Sequence, residues 1–246
     1  MASASRSSNA GMRRRLWCGS GAAAMLVIFD CDGVLVDSEA IFASVDAEAL
    51  SRLGHPMSPA AILRRFSGMP HRDMWEILAA ELGLELPADH LQTIRDECQR
   101  RFETDLVAVP GARDAVRAVQ ATGLATSVAS STQIDSLRRN LARTGLLDLV
   151  DPHVFSVSQV KRGKPAPDVF LHAASQTGFD PAECLVVEDS VAGVTAAGRA
   201  GMSVLGFVGG SHVDDDLGAR LSDAGARAIC AAMPEVVATV SDIFGI

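Results

Sequence analysis

Five short apolar runs punctuate the chain: MLVIF (25–29), LATSVAS (124–130), HVFSV (153–157), CLVVED (184–189) and SVLGFVG (203–209). They are rich in Val, Ile and Leu and do not alternate strictly with polar residues. Each therefore reads as a strand buried on both faces, the habit of a parallel sheet. Around them lie GARDAVRAVQATG, TQIDSLRRNLARTG, DVFLHAASQTG and SVAGVTAAGRAG, with apolar residues at helical spacing and, in most, a closing glycine. The βαβ rhythm predicts an α/β fold, a doubly wound, Rossmann-like parallel sheet with helices on both faces. Right-handed crossovers then gather the polar residues at the strands' carboxyl ends along one edge.

The rhythm breaks once. From about residue 40 to 106 the pattern offers no convincing strand, only amphipathic stretches such as IFASVDAEALSRLG and HRDMWEILAAELG. The expected organisation is a core of residues 25–39 and 107–246 carrying an inserted all-helical cap domain over 40–106. The chain leaves the core after Asp37-Ser38 and returns just before VPGARDAV, where Pro110 and Gly111 mark the re-entry. An insert over the carboxyl edge of such a sheet commonly serves as a lid, with hinges near Ser38 and Val107. Residues 1–24 are small, polar and basic and read as a disordered tail. Arg13, Arg14 and Arg15 precede a short apolar patch somewhat as in an export signal, but the patch runs straight into the first strand.

Charge and cysteine usage narrow the functional classes. Thirty acids against 22 bases give a net charge of -8, which argues against a general electrostatic grip on nucleic acid or anionic lipid. Five scattered cysteines, odd in number and without CxxC pairing, support neither a disulfide framework nor a zinc site. No apolar stretch reaches the roughly 18 to 20 residues that a spanning helix needs. The reading is a cytoplasmic protein, monomeric or weakly dimeric, whose partner is a small molecule.

The chemistry begins in FDCDGVLVDSE (29–39). Asp30 and Asp32 leave the first apolar run two residues apart, a spacing that points both carboxylates to one side of an extended chain while Cys31 points to the other. Two carboxylates about 4 Å apart in an effective dielectric near 20 repel by roughly 4 kcal/mol, so the pair needs a cation or a shared proton. Three other sets end strands or follow them: Ser130 and Ser131, Lys164 in KRGKPAPD, and Glu188 with Asp189. Alone, the serines would serve as helix caps, the lysine as a solvated surface charge, and the acids as partners of a helix N-terminus. All of them on one edge of one sheet form a site.

In FDCDGVLVDS, VASS, KPAPD and VVEDS, in that order, the chain resembles the haloacid dehalogenase superfamily phosphohydrolases whose α-helical cap follows the first core strand. The resemblance implies that Asp30 is the nucleophile and Asp32 the acid/base. It makes Ser130, Ser131 and Lys164 the phosphate anchors. Asp30, Asp32 (through its carbonyl), Glu188 and Asp189 become the ligand set for magnesium, a hard ion suited to carboxylate oxygens. A phosphoric monoester hydrolase working through an aspartyl-phosphate is expected, with the turn amides beyond Asp32 helping to hold the phosphoryl oxygens.

Dehalogenating relatives do not need Asp32. β-Phosphoglucomutase-like relatives carry a histidine at the position of Phe42 and an arginine at that of His71, and both departures favour hydrolysis over phosphotransfer between sugars. A non-catalytic phospholigand-binding module would be expected to lack a key side chain. A small sugar, sugar-acid or sugar-alcohol phosphate is the expected substrate, 6-phosphogluconate and phosphoglycolate included. Arg64, Arg65, His71 and Arg72 in ILRRFSGMPHRDM are candidate selectors, with His71 and Arg72 preferred. His212, in VGGSH, reads more readily as part of a surface loop than as part of the site.

Overall fold

Strand β1 (Leu26–Phe29), buried at every residue, lies inside a six-stranded, all-parallel sheet. The computed structural model describes residues 25–66, 69 and 71–246; the tail predicted over 1–24 lies outside the described residues. β2 (Ala125–Ser130) pairs with β1 on one side and β3 (Val154–Ser156) lies beyond it. On the other side come β4 (Cys184–Glu188), β5 (Ser203–Phe207) and β6 (Ala228–Cys230). The order β3-β2-β1-β4-β5-β6 reverses its winding next to β1, the place where such sheets open a crevice beyond their carboxyl ends.

The sixth strand corrects the sequence reading, which stopped at five. β6 is a three-residue edge strand. So short a run carries no periodicity to read, and its place is decided by hydrogen bonds to β5.

Alternate residues of each strand feed different faces. Val27, Phe29, Val128, Leu185, Val187 and Leu205 join one apolar cluster; Leu26, Ile28, Ala129, Val186 and Val204 join the other. Four helices, α1 (Glu39–Arg52), α2 (Pro59–Phe66), α3 (His71–Leu82) and α4 (His90–Asp105), follow β1 before the chain returns to the layers that flank the sheet. The first face is covered by α5 (Ala112–Ala121), α6 (Ile134–Arg143) and, after the short α7 (Leu147–Val150), by α11 (Met233–Phe244). The second is covered by α8 (Asp168–Thr177), α9 (Val191–Arg199) and α10 (Leu217–Asp223). Each fully buried Val, Leu, Ile or Phe contributes about 1.5–3 kcal/mol, so this two-sided burial is what holds the carboxyl edge rigid.

The buried residues of α1–α4, among them Leu50, Trp75, Leu78 and Phe102, continue the first cluster. The segments leaving and re-entering the core hydrogen-bond to each other, Asp37 N to Val107 O and Val109 N to Leu35 O, both at 3.0 Å. No helix among the described residues is long and apolar enough to cross a membrane.

Candidate active site

Register positions the acids. Phe29 pairs with Val128 on β2 and with Val187 on β4, so one residue further Asp30 falls beside Ala129 and Glu188. The chain then turns tightly: Leu35 N and Val36 N donate to Cys31 O, and Gly33 N donates to Val36 O. Gly33 has a φ of +81°, and a Cβ there would run into the carboxylate of Asp189. Only glycine fits both the turn and the neighbour. Three amides beyond Asp32, those of Gly33, Leu35 and Val36, are thus committed inside the turn.

Lys164 reaches this edge from the loop before α8. Its ammonium donates to Asp30 Oδ1 and Glu188 Oε1, both at 2.5 Å, and to Ala129 O at 3.2 Å, with 5% of the side chain exposed. All three ammonium protons are used. The second oxygen of Glu188 accepts from Ser190 N and Ser190 Oγ at the start of α9. Gly193, on the first turn of that helix, leaves the room in which the Glu188 carboxylate sits.

Asp30, Glu188 and Asp189 each offer an oxygen within 4.8 Å of the others, all of them buried. Burial pushes Asp30 well above the usual carboxylate range; Lys164 opposes that, while Glu188, Asp189 and Asp32 reinforce it. Burial works against the Lys164 ammonium, yet Asp30 and Glu188 together raise it above its ordinary value. One cation among crowded acids leaves a deficit of positive charge, and three hard oxygen donors suit a divalent metal. Glu188 already accepts three hydrogen bonds from Lys164 and Ser190, so Asp30 and Asp189 keep the greater capacity for an ion, with Glu188 beside them.

Asp32 sits in a shell of hydroxyls. Ser38 Oγ donates to Oδ1 at 2.9 Å, and Ser130 Oγ at 3.1 Å and Thr132 Oγ1 at 2.7 Å donate to Oδ2. Ser130 Oγ also accepts from Thr132 N. Hydroxyls both donate and accept, so one shell serves the carboxyl with or without its proton. Ser131, in contrast, is exposed and makes no side-chain hydrogen bond among the described residues.

His212 overturns the surface-loop reading: it is buried, 3% exposed, with Nε2 3.0 Å from Asp189 Oδ2. Burial works against its protonation, but the bond to Asp189 and the charges of Asp189, Glu39 and Asp37 raise its pKa above the ordinary value. The glycine pair Gly209-Gly210 is the signal that was available, because a Cβ at Gly210 would strike the imidazole ring.

Two cavities meet over this edge. One, of about 370 Å³, is lined by Asp30, Asp32, Lys164, Glu188, Asp189 and His212. The other, of about 520 Å³, extends under α1–α4 and is lined by Phe42, His71, Arg72 and Arg95 among others. Of the four candidate selectors, His71 and Arg72 reach it, whereas Arg65 is paired with Glu81 on the surface and Arg64 is exposed.

His71 is held from behind by a residue that the sequence did not single out. Asp46, 1% exposed, lies with Oδ2 2.6 Å from His71 Nε2 and accepts from Trp75 Nε1 at 2.9 Å on its other oxygen. Asp46→Ala is expected to lower stability by about 1–3 kcal/mol, because it strands the buried indole N–H, and denaturant unfolding would register the loss. An unchanged midpoint would show that the pair contributes nothing.

The profile of the haloacid dehalogenase-like hydrolases matches residues 24–201. The 6-phosphogluconate phosphatase of Escherichia coli K12 is 30% identical over 187 residues, covering 76% of this chain and 83% of that protein. A phosphorylated carbohydrates phosphatase of Thermotoga maritima is 33% identical over 205 residues, covering 82% and 92%. Among solved structures, a hydrolase of the same family from Deinococcus radiodurans, with bound phosphate and sodium, superposes with a TM-score of 0.79 at 32% identity, covering 92% of this chain and 98% of that one.

Proposed function

Because the chain belongs to the haloacid dehalogenase-like hydrolase family and is a phosphoric monoester hydrolase, we propose that it cleaves small sugar or sugar-acid phosphates through a phosphorylated Asp30. The observation carrying this reading is the buried Asp30 locked to Lys164 beside Glu188 and Asp189, with Asp32 in its hydroxyl shell two residues on.

In the first step a carboxylate oxygen of Asp30 attacks phosphorus, the ester P–O bond breaks, and the departing alkoxide takes the proton of Asp32. In the second, Asp32 withdraws a proton from water, whose oxygen attacks the same phosphorus. The bond to Asp30 breaks and inorganic phosphate leaves. Lys164 balances charge beside the nucleophile, and Ser131 is the hydroxyl free to meet a phosphoryl oxygen. Magnesium, held by Asp30, Asp189 and the carbonyl of Asp32, would supply the charge neutralisation that lets a phosphate dianion approach so many acids.

Phe42 supports water as acceptor over a second sugar hydroxyl: it presents an apolar ring, packed on Phe102 and His71, with no proton to relay. His71 and Arg72, which line the larger cavity, are the proposed selectors.

The test is phosphate release from glucose 6-phosphate, 6-phosphogluconate, glucose 1-phosphate, sorbitol 6-phosphate and phosphoglycolate with magnesium. Tight binding without release would indicate a ligand-binding module, and conversion of glucose 1-phosphate to the 6-phosphate without release would indicate a mutase. A second measurement bears on the metal. His212 orients Asp189, so His212→Ala is expected to weaken magnesium binding about 10-fold in calorimetric titration without substrate. An unchanged Kd would remove His212 from that role.

A further inference from the structure

Glu39 lies at the junction of the two cavities. Among the described residues three border both, Glu39, Met69 and Ser131, and of these Glu39 is the charged one. One cavity holds Asp30, Asp32 and Lys164, where the phosphoryl group belongs on the reading above; the other runs under α1–α4, where the rest of the substrate must go. Whatever stands at their junction meets the leaving group close to the scissile bond.

The residue is the first of α1 and half-buried, and its carboxyl group makes no hydrogen bond among the described residues. Other acids of this region are engaged: Asp32 by three hydroxyls, Asp37 by Ser211, Asp46 by Trp75 and His71, and Asp189 by His212. A half-buried acid left without a partner loses hydration and gains nothing from the fold. A ligand that supplied the missing hydrogen bond would offset that cost.

We propose that Glu39 is a specificity residue that hydrogen-bonds a hydroxyl on the carbon beside the phosphoester, so that the site selects polyol and sugar phosphates over alkyl phosphates of the same size. The inference rests on the phosphatase reading and deepens it by naming the leaving-group chemistry. Its environment suits the task. Burial, opposed by His212 and reinforced by Asp189 and Asp32, pushes the Glu39 carboxyl up to about 7. Near neutral pH the neutral acid and the carboxylate are both populated. The group can therefore donate to a hydroxyl or accept from it, and it repels an arriving phosphate dianion less than a fixed charge would.

The test uses two competitors with one carbon skeleton: glycerol 3-phosphate, which has the neighbouring hydroxyl, and n-propyl phosphate, which lacks it. Each is titrated against hydrolysis of the fastest phosphoester of the panel above. Wild-type protein is expected to bind glycerol 3-phosphate about 10- to 100-fold more tightly, and Glu39→Ala to bring the two inhibition constants within about 2-fold. Glu39→Gln, which keeps a hydrogen-bonding amide, is expected to retain part of the difference. Damage to the start of α1 would scale both constants together and leave their ratio intact. Equal constants in the wild type, or an unchanged ratio in Glu39→Ala, would overturn the assignment to Glu39. Hydrolysis of no phosphoester at all would overturn the phosphatase reading itself.

Discussion

Asp30→Asn is expected to hydrolyse no phosphoester above background, a loss on the order of 10⁴-fold or more. The amide keeps the shape of the carboxylate but carries no negative charge, so its oxygen is too weak a nucleophile to form the bond to phosphorus. Groups acting as one unit fail together when the nucleophile is lost, so Asp32 and Lys164 do not rescue the rate. The fold should survive. Asp30 is buried among Asp32, Glu188 and Asp189, and burial with these charges already holds its pKa high. Removing one like charge relieves that crowding, and Lys164 keeps Glu188 and Ala129 O as partners, so the thermal midpoint should stay level or rise, the usual exchange of stability for activity at such sites. Steady-state phosphate release and a melting curve on the same preparation check both halves. Turnover within 10-fold of wild type would sink the proposed mechanism.

Lys164→Met should be nearly as damaging, but through the fold. The substitution roughly conserves volume while leaving Asp30 and Glu188 without the cation that bridges them at 2.5 Å on each side. Breaking a buried ion pair by removing one partner costs about 3–5 kcal/mol, because the charge left behind is neither paired nor hydrated. For a chain of this length each kcal/mol corresponds to roughly 2–4 °C in Tm. Denaturant unfolding of the metal-free protein would measure the loss. Adding Asp30→Asn should recover part of it, since one stranded carboxylate disappears, and a double-mutant cycle isolates that coupling. Strict additivity of the two changes would mean that Lys164 and Asp30 do not depend on one another.

The parts that could be read from sequence share a property: local pattern carries them. Fully apolar runs ending in acids give β1 with Asp30 and β4 with Glu188, and the break in βαβ rhythm gives a helical insert. Parts that escaped depend on contacts without a local mark. The three residues of β6 owe their identity to β5. Asp46 sits within an ordinary helical stretch, and nothing nearby in sequence shows that Trp75, 29 residues on, will donate to it. Ser38 and Thr132 are common residues until the fold brings both to Asp32.

By itself the sequence determined which residue types stand at the carboxyl ends of buried strands, because burial and the two-residue period of a strand are written locally. Only the tertiary structure decided which of them touch: Lys164 against an aspartate 134 residues away, His212 folded inward onto Asp189, and Glu39 left open where the cavities join. Those outcomes depend on strand order and register, which add up energies from the whole sheet and cannot be read from any one segment.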